Sequence, residues 1–454
     1  MGQIETRREE GKDLRKQVPR SSHGAFERQP GVNPVAILLG QDEGRVQSLV
    51  PVRHERMGES AYAFYRAGAK LMAVDLSSTP TTKLMAQLCG DAHLANFGWY
   101  GSPERDLVFD VNDFDETLPG SFEWDLKRMA ASFAIASADN GFDDEDSRKS
   151  AAASVNAYSD GMAELAQRGF LDVWYSQVSA DDILNTLEAD GKTKKARKAG
   201  KKVKKARGKD SMHVLGKLTE TVDGKTRIRS DPPFVVPLRD MAADLRPDDV
   251  RQIVHDTMAS YVTSVPDGFA VLLDRYRYVD MAFKVVGVGS VGTRCFIVFL
   301  EGRDATDPLF LQIKQAEKSA LEAHFPPSVY DHPGHRVVAG QQLMQTSSDI
   351  FLGWTGGIDG HQYYVRQLKD MKASVDVASL DPKDMQRYAK ACGATLARSH
   401  SRSGDPAVMS GYMGSGDVFA DAITDFAVAY AAQNEADYQT WMTFMASDGA
   451  PDET

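Results

Sequence analysis

LCGDAHLANFGWYG (residues 88–101) and VFDVNDFDET (residues 108–117) decide how this chain is read. Together they place Asp91, His93, Asn96, Asp110, Asp113 and Asp115 in one short segment. Each acid or amide stands beside strand-like or turn residues, which marks a site rather than a solvated run of charge. The spacing Asp91-x4-Asn96, then a strand, then Asp113-Phe-Asp is what phosphoryl transfer needs. One carboxylate takes the hydroxyl proton, while an amide and a second carboxylate hold Mg²⁺ on the phosphates. Asp91 is the expected catalytic base. His93 is placed to orient the loop or touch a phosphate, and hydrogen bonding to buried backbone explains it equally well. Asn96 and Asp113 are the expected Mg²⁺ ligands, because Mg²⁺ takes hard oxygen ligands and few of them from protein. Asp110 and Asp115 are alternates. A metal-dependent hydrolase, with two metals held by Asp91, His93, Asp110 and Asp113, is the competing reading.

Working outward, KLMAQLCG and LVFDV read as short buried strands leading into the two acidic loops. SAYAFYRAGAKLMAVDL, from Ser60, has apolar residues at helical spacing and is expected to form one helix ended by Pro80. After a Pro119-Gly120 turn, WDLKRMAASFAIASA reads as a hydrophobic helix. In it Asp125 is a buried cap or loop anchor, and Arg128 can pair with an acid of the cluster. Helices are expected to continue over 146–190. Residues 1–45 are polar and rich in Arg, Glu and Gly, and are expected to be an extended arm with weak structure.

From about 275 the pattern changes to period two. YRYVDMAFKVV, RCFIVFL and PLFLQIK are three β-rich runs, which predicts an antiparallel meander. Between the first two lies Gly287-x-Gly289-Ser290-x-Gly292. A dinucleotide fingerprint requires a helix directly after such glycines. A strand follows here instead, so the loop fits the kinase arrangement in which backbone covers the phosphates. Lys314 ends the third run, where a kinase-type fold keeps the lysine for the α- and β-phosphates. Its acidic partner is open, with Glu317 and Glu322 as candidates, because the helix HRVVAGQQLMQ has Ala339 at its middle. YYVRQL fits a hinge strand, whose backbone near Arg366, Gln367 and Leu368 is positioned to meet an adenine edge. RYAKACGATLARSHSR and residues 416–443 read as helices. His400 and Asp405 are read as a helix end and its turn rather than a second catalytic pair.

Composition sets the outer limits. The chain has 454 residues, enough for a two-lobed enzyme, and its net charge of -11 makes nucleic acid an unexpected partner. Any ATP must therefore meet locally positive groups. The widely spaced Cys89, Cys295 and Cys392 fit neither a disulfide framework nor a zinc site. The start of the chain lacks the apolar core of a signal peptide, and no apolar run is long enough for a membrane span. A cytoplasmic location is the expectation. Residues 192–209, KTKKARKAGKKVKKARGK, are expected to be a solvated, mobile basic insertion, with contact to an anionic partner as the sharper alternative.

At these residues the chain resembles the bacterial family called domain of unknown function 2252. LRKQVPRSSH, LVPVRHERM, FYRAG, LCGDAHLANFG, NDFDET, EWDLKRMAAS, VGVGSVGTR, FLQIKQA, QLMQTSSDIFLGW, YYVRQLKDMK and LARSHSRSGD carry the likeness over nearly the whole chain. It departs from the family pattern at Ala61-Tyr62, where Pro-Phe is usual, and at Ala339, where Glu is frequent. More widely, GDAHLANFG is similar to the HGDLHxxN loop of aminoglycoside and choline phosphotransferases, and NDFDET with EWDLKRMA to their metal loop and its anchoring helix. That resemblance implies Asp91 as catalytic Asp, Asn96 and Asp113 as metal ligands, and Asp125 as structural Asp. It also implies Gly287, Gly289, Gly292 and Lys314 as phosphate-binding elements. The order differs, since a kinase reads glycine loop, lysine, hinge, catalytic loop, metal loop. The expectation is an α+β, protein-kinase-like two-lobed fold in circularly permuted order. Residues 46–270 and 373–454 would form the helical lobe, and 271–372 the β-rich nucleotide-binding lobe. The expected activity is ATP- and Mg²⁺-dependent phosphotransfer to an unidentified hydroxyl on a small molecule or protein. AMP transfer and nucleotide binding without turnover are the alternatives.

Overall fold

Helix Glu123–Asp139 is buried from Glu123 to Ser137, including the charged Glu123, Asp125, Lys127 and Arg128 of its first turns, so those groups must find partners inside the protein. The computed structural model describes residues 2–181, 184, 185, 193–241, 247–287, 289–368 and 371–447. Lys192 of the basic tract and Val288 of the glycine loop lie outside the described residues. Helices Asp144–Leu165 and Asp417–Ser447 pack on Glu123–Asp139, and Pro382–Ser401 lies along Asp144–Leu165. That approach is close because Gly393 has no side chain; a Cβ there would sit 2.1 Å from the Ser154 carbonyl oxygen. The core of this helical body draws on residues from Ala61 to Tyr430, so both ends of the chain build it.

The first 45 residues are not an extended arm. They contain helices Gln3–Leu14 and Pro34–Gly40. The first buries only Gly11, which leaves no apolar periodicity to read. It is held by backbone approach instead. A Cβ on Gly11 would lie 2.0 Å from Val408 O, and one on Gly411 would lie 2.2 Å from Arg8 O. Arg15 and Arg20 then donate to Tyr412 O and Met413 O, the free carbonyls at the end of helix Pro406–Met413. Further on, Arg28 forms bidentate bonds to both Asp75 and Asp437, at 2.6–2.8 Å. The expected single helix from Ser60 is broken at Gly68 into Ala61–Ala67 and Ala69–Leu76.

Four short strands frame the acidic segment: β1 (Met85–Leu88), β2 (Phe97–Gly101), β3 (Leu107–Val111) and β4 (Leu118–Ser121). β1 pairs with β4 and β2 with β3, both antiparallel. Pro119 and Gly120 are therefore strand residues, not a turn. Leu88 faces Leu118 and Phe97 faces Val111. The loops 89–96 and 112–117 thus cross the same gap between two ribbons, side by side. The basic tract is helical over Thr193–Arg207. Its Ala206 is buried with Leu107, Ala180 and Met371, while Lys201, Lys202, Lys204 and Lys205 are exposed.

The β-rich part begins earlier than expected. Strands β5 (Thr219–Val222) and β6 (Lys225–Ile228) form a hairpin over Asp223 and Gly224, whose φ values of 51° and 73° match a turn with two left-handed residues. β7 (Val235–Pro237), β8 (Arg277–Lys284), β9 (Cys295–Glu301), β10 (Pro308–Ala316), β11 (Gly353–Gly356) and β12 (Gln362–Gln367) make one antiparallel sheet ordered β11-β12-β10-β9-β8-β7. The meander β8-β9-β10 follows the period-two pattern. Leu309, Leu311 and Ile313 point to one face, packed with Val254, Tyr261, Val265 and Leu273. Phe310 joins Val214, Ile228, Val235 and Phe299 on the other. Val214, Ile228, Val254, Tyr261 and Val265, expected in the helical lobe, thus pack on the sheet. The chain is a mixed α+β protein, and among the described residues no helix is long and apolar enough to cross a membrane.

Candidate functional site

Asp125 fixes the first loop from below. Its carboxylate accepts the backbone N–H of Cys89 at 2.8 Å and of Gly90 at 3.0 Å. His400 supports it, with Nε2 at 3.2 Å from Asp125 and Nδ1 at 2.9 Å from the Tyr158 hydroxyl. Asp405 caps helix Pro406–Met413 by accepting from Ala407 N and Val408 N. Gly90 has a φ of 81°, and a Cβ there would meet Glu116 O at 2.2 Å, so this glycine lets the two loops touch. Asp91 follows. Arg128 Nε donates to its Oδ1 at 2.8 Å, and His93 Nε2 lies 3.7 Å from its Oδ2. Asn96 Nδ2 donates back to Asp91 O at 2.7 Å, which ties the two predicted residues together. Burial pushes Asp91 above the usual carboxylate range against the pull of Arg128, and drives His93 well below an ordinary imidazole.

The second loop carries Asp113 and Asp115, and both meet Lys314. Asp113 Oδ2 is 3.7 Å from Nζ, and Asp115 Oδ2 forms a direct ion pair with it. Tyr364, opposite Lys314 on β12, donates to Asp115 Oδ1 at 2.9 Å. Burial opposes charge on Asp113, but Lys314, Arg366 and Lys372 outweigh it and hold the group below its ordinary value. Asp115 is raised by burial and by the Asp113 charge. For Lys314, burial is outweighed by the two carboxylates, which hold it well above normal. The acidic partners of Lys314 are thus Asp113 and Asp115, not Glu317 or Glu322. Asp110 is drawn away to Arg398 in a buried pair. The four-residue hydrolase set is therefore not assembled, and among the described residues no group of three or more His, Cys, Asp or Glu could hold a metal ion.

Between the acidic loops and the sheet lies a cleft of about 740 Å³. Asp113, Gly287, Ser290, Lys314, Arg366, Gln367 and Leu368 line it together. Asp91, His93, Asn96, Gly289 and Gly292 do not line it. The glycine loop is held from outside: Arg56 donates to Gly287 O at 2.6 Å, and Val46 N donates to Gly292 O at 2.8 Å. Gly289 rests on the Ala61–Ala67 helix, where a Cβ would lie 3.2 Å from Arg66 O. The adenine-edge expectation needs a correction. Gln367 N donates to Asp349 and Leu368 N to Phe310 O, so neither N–H is free. Arg366 acts through its side chain instead, donating to Gln312 Oε1 at 2.9 Å and Asn112 O at 3.1 Å.

Residues 45–444 match the family described as "Uncharacterized protein conserved in bacteria (DUF2252)". The chain belongs to this family. No curated protein and no solved structure matches it.

Sequence reasoning missed several groups at the cleft of this DUF2252 chain. Lys284 and Lys372 add positive charge to its wall, and Gln341 of helix Pro333–Met344 and Gln345, just past its end, also line it. Lys284 ends β8 just before the glycine loop, so its strand position was a usable signal. Nothing in the spacing marks Lys372. Cations from three separate segments, Lys284, Lys314 and Arg366 with Lys372, thus meet at this cleft, alongside the carboxylates of Asp113, Asp210, Asp307 and Asp349.

Proposed function

We propose that this DUF2252 chain is an ATP- and Mg²⁺-dependent phosphotransferase of kinase-like type, in circularly permuted order. One observation carries the reading. Asp113 and Lys314, about 200 residues apart, line one cleft with Gly287 and Ser290. A glycine loop between the first two strands of a meander, a lysine on the third and a helix before the next strand is the order of parts in a kinase small lobe. Asp91 takes the proton of the acceptor hydroxyl, while Lys314 and the glycine-loop backbone hold the phosphates. Asn96 and Asp113, on the two adjacent loops, would hold Mg²⁺. The donors fit: the Asn96 nitrogen is committed to Asp91 O, which leaves its side-chain oxygen to offer, and Asp113 is held ionised at the cleft wall. Bound there, the ion supplies charge neutralisation on the phosphates.

Binding without turnover is the second reading. It is favoured by Lys314 being engaged by the very carboxylate that would hold metal, with no acid on helix Pro333–Met344. A melting experiment with ATP and Mg²⁺ on wild type and Lys314→Ala tests the site, since a ligand that binds only the native state raises Tm. A Mg²⁺-dependent rise abolished by the substitution supports the reading. A rise with Mn²⁺ or Zn²⁺ alone, and none with ATP, overturns it. Following the α- and γ-phosphates of ATP separately then distinguishes AMP transfer from phosphoryl transfer.

A further inference from the structure

Arginines around the site are nearly all committed. Arg128 bonds Asp91 and Tyr65 O, Arg366 bonds Gln312 and Asn112 O, and Arg336 bonds the carbonyls of Asp115, Thr117 and Glu317. Arg66 is the exception. No hydrogen bond or ion pair joins it to a described residue, and its Nε is shielded from solvent without a partner. A buried donor left unpaired costs about 1–3 kcal/mol, so it calls for a ligand.

The position of Arg66 narrows what that ligand is. Tyr62 and Arg66 stand one turn apart on the Ala61–Ala67 helix and share a face. The Tyr62 ring meets His93 edge-on at 6.5 Å, so that face is turned to the Asp91 loop. Arg128 reaches the same turn from below, with its guanidinium 3.9 Å over the Tyr65 ring and Nη2 2.9 Å from Tyr65 O, while its Nε holds Asp91. The Arg66 charge is felt at Asp91, His93 and Tyr62. Above, the glycine-loop tip rests on Arg66 O through Gly289. A second group points the same way: His93, 4% exposed, has no partner for Nδ1. A free guanidinium and a buried, unpartnered ring nitrogen therefore stand between the loop over the phosphates and the carboxylate that takes the acceptor proton.

We propose that Arg66, with His93, binds the terminal phosphate of ATP as it passes to the acceptor. The proposal rests on the phosphotransferase reading. In the step, the acceptor oxygen forms a bond to the γ-phosphorus and the bond from that phosphorus to the β,γ-bridging oxygen breaks. ADP leaves, and the acceptor proton goes to Asp91. Arg66 offers its fork of donors to the non-bridging oxygens, on which charge is spread in such a transition state. Acceptor chemistry is left to the opposite side of Asp91.

Titration calorimetry of the full chain with Mg²⁺ and either ADP or a non-hydrolysable ATP analogue tests this, on wild type, Arg66→Ala and Arg66→Gln. Loss of a charge-assisted contact to the terminal phosphate is expected to weaken the analogue by about 10- to 100-fold and to leave ADP unchanged. Because Arg66 has no protein partner, both variants are expected to melt with wild type; if Arg66→Ala does not fold, Arg66→Gln carries the comparison. Equal weakening of both nucleotides, or of neither, overturns the subsite while the phosphotransferase reading stands. Lost turnover with the analogue-to-ADP contrast intact also overturns it, and assigns Arg66 to an acidic group on the acceptor. Failure of wild type to bind either nucleotide overturns the subsite and the phosphotransferase reading together.

Discussion

Lys314, on the cleft wall, and Asp115 are 199 positions apart in the chain and form a direct ion pair. The pair makes Lys314 the electrostatic link between the sheet and the acidic loops. Lys314→Ala leaves Asp113 and Asp115 facing each other without their cation. Removing one member of a fully buried pair costs about 3–5 kcal/mol, and with both carboxylates about a third exposed the loss is expected to be about 1–3 kcal/mol. Urea unfolding of the ligand-free variant is expected to show a loss of that order, together with the lost response to ATP. An unchanged midpoint would mean that solvent or Arg366 replaces the lysine.

Asp91→Asn separates binding from chemistry. Asn retains an oxygen facing Arg128 but cannot take a proton. ATP affinity is expected to stay within about twofold, while phosphoryl transfer, read as ADP release, falls by about 10²–10⁴-fold, the usual contribution of a general base. Full turnover by the variant would assign the base elsewhere.

Arg28 ties Asp75 to Asp437 with four short bonds among largely buried groups. Its replacement by Ala leaves two carboxylates uncompensated, so thermal unfolding is expected to come earlier by an amount equivalent to about 3–5 kcal/mol. Nucleotide affinity, measured below the new midpoint, is expected to be unchanged, because this clamp lies outside the cleft.

Two buried bases set a pH dependence. Burial drops His23 from 6.5 to about 3, and its Nε2 bonds the Tyr412 hydroxyl at 2.8 Å. Between those values the unfolded chain binds the proton and the folded one does not. Stability is therefore complete above pH 6.5 and falls on acidification, by about 1.4 kcal/mol per pH unit from this group. Denaturant midpoints across pH 4–7 are expected to slope less in His23→Gln than in wild type, and equal slopes would refute the assignment.

Lys127 is fully buried beside Thr79 and over the Phe426 ring, and burial lowers it to about 8. It is charged in both states at neutral pH and pays desolvation only when folded. Lys127→Met is expected to stabilise the protein at pH 7 by about 1–3 kcal/mol. That advantage shrinks as pH rises from 8 towards 10.5, where the native lysine is already neutral and the unfolded one is still losing its proton.

How much of this was legible depends on what does the burying. PLFLQIK alternates because one face of β10 packs on apolar helices, and that pattern is written in side chains. Helix Gln3–Leu14 is buried through Gly11 alone, a contact made by missing atoms, and hydrophobic periodicity is blind to it. In the candidate site, spacing drew attention to Asp91, Asn96 and Asp113, which lie on adjacent loops. It ranked Asp113 above Asp115 but could not foresee that both meet Lys314, because only the fold brings that lysine to them. The backbone near Arg366–Leu368 was expected to meet an adenine edge, and local sequence gives no hint of Asp349 or Phe310 reaching the Gln367 and Leu368 N–H groups.

The Arg28 clamp also has a temporal side. During synthesis Arg28 and Asp75 emerge well before Asp437, because every strand of the large sheet lies between them in the chain. Domains generally fold as units, and contacts between distant segments wait for the later one. Until helix Asp417–Ser447 is released, the early helices lack both their second carboxylate and the wall supplied by Phe426 and Tyr430. The helical body can thus close only after the intervening sheet segment has been made, and its early helices keep apolar surface exposed until then.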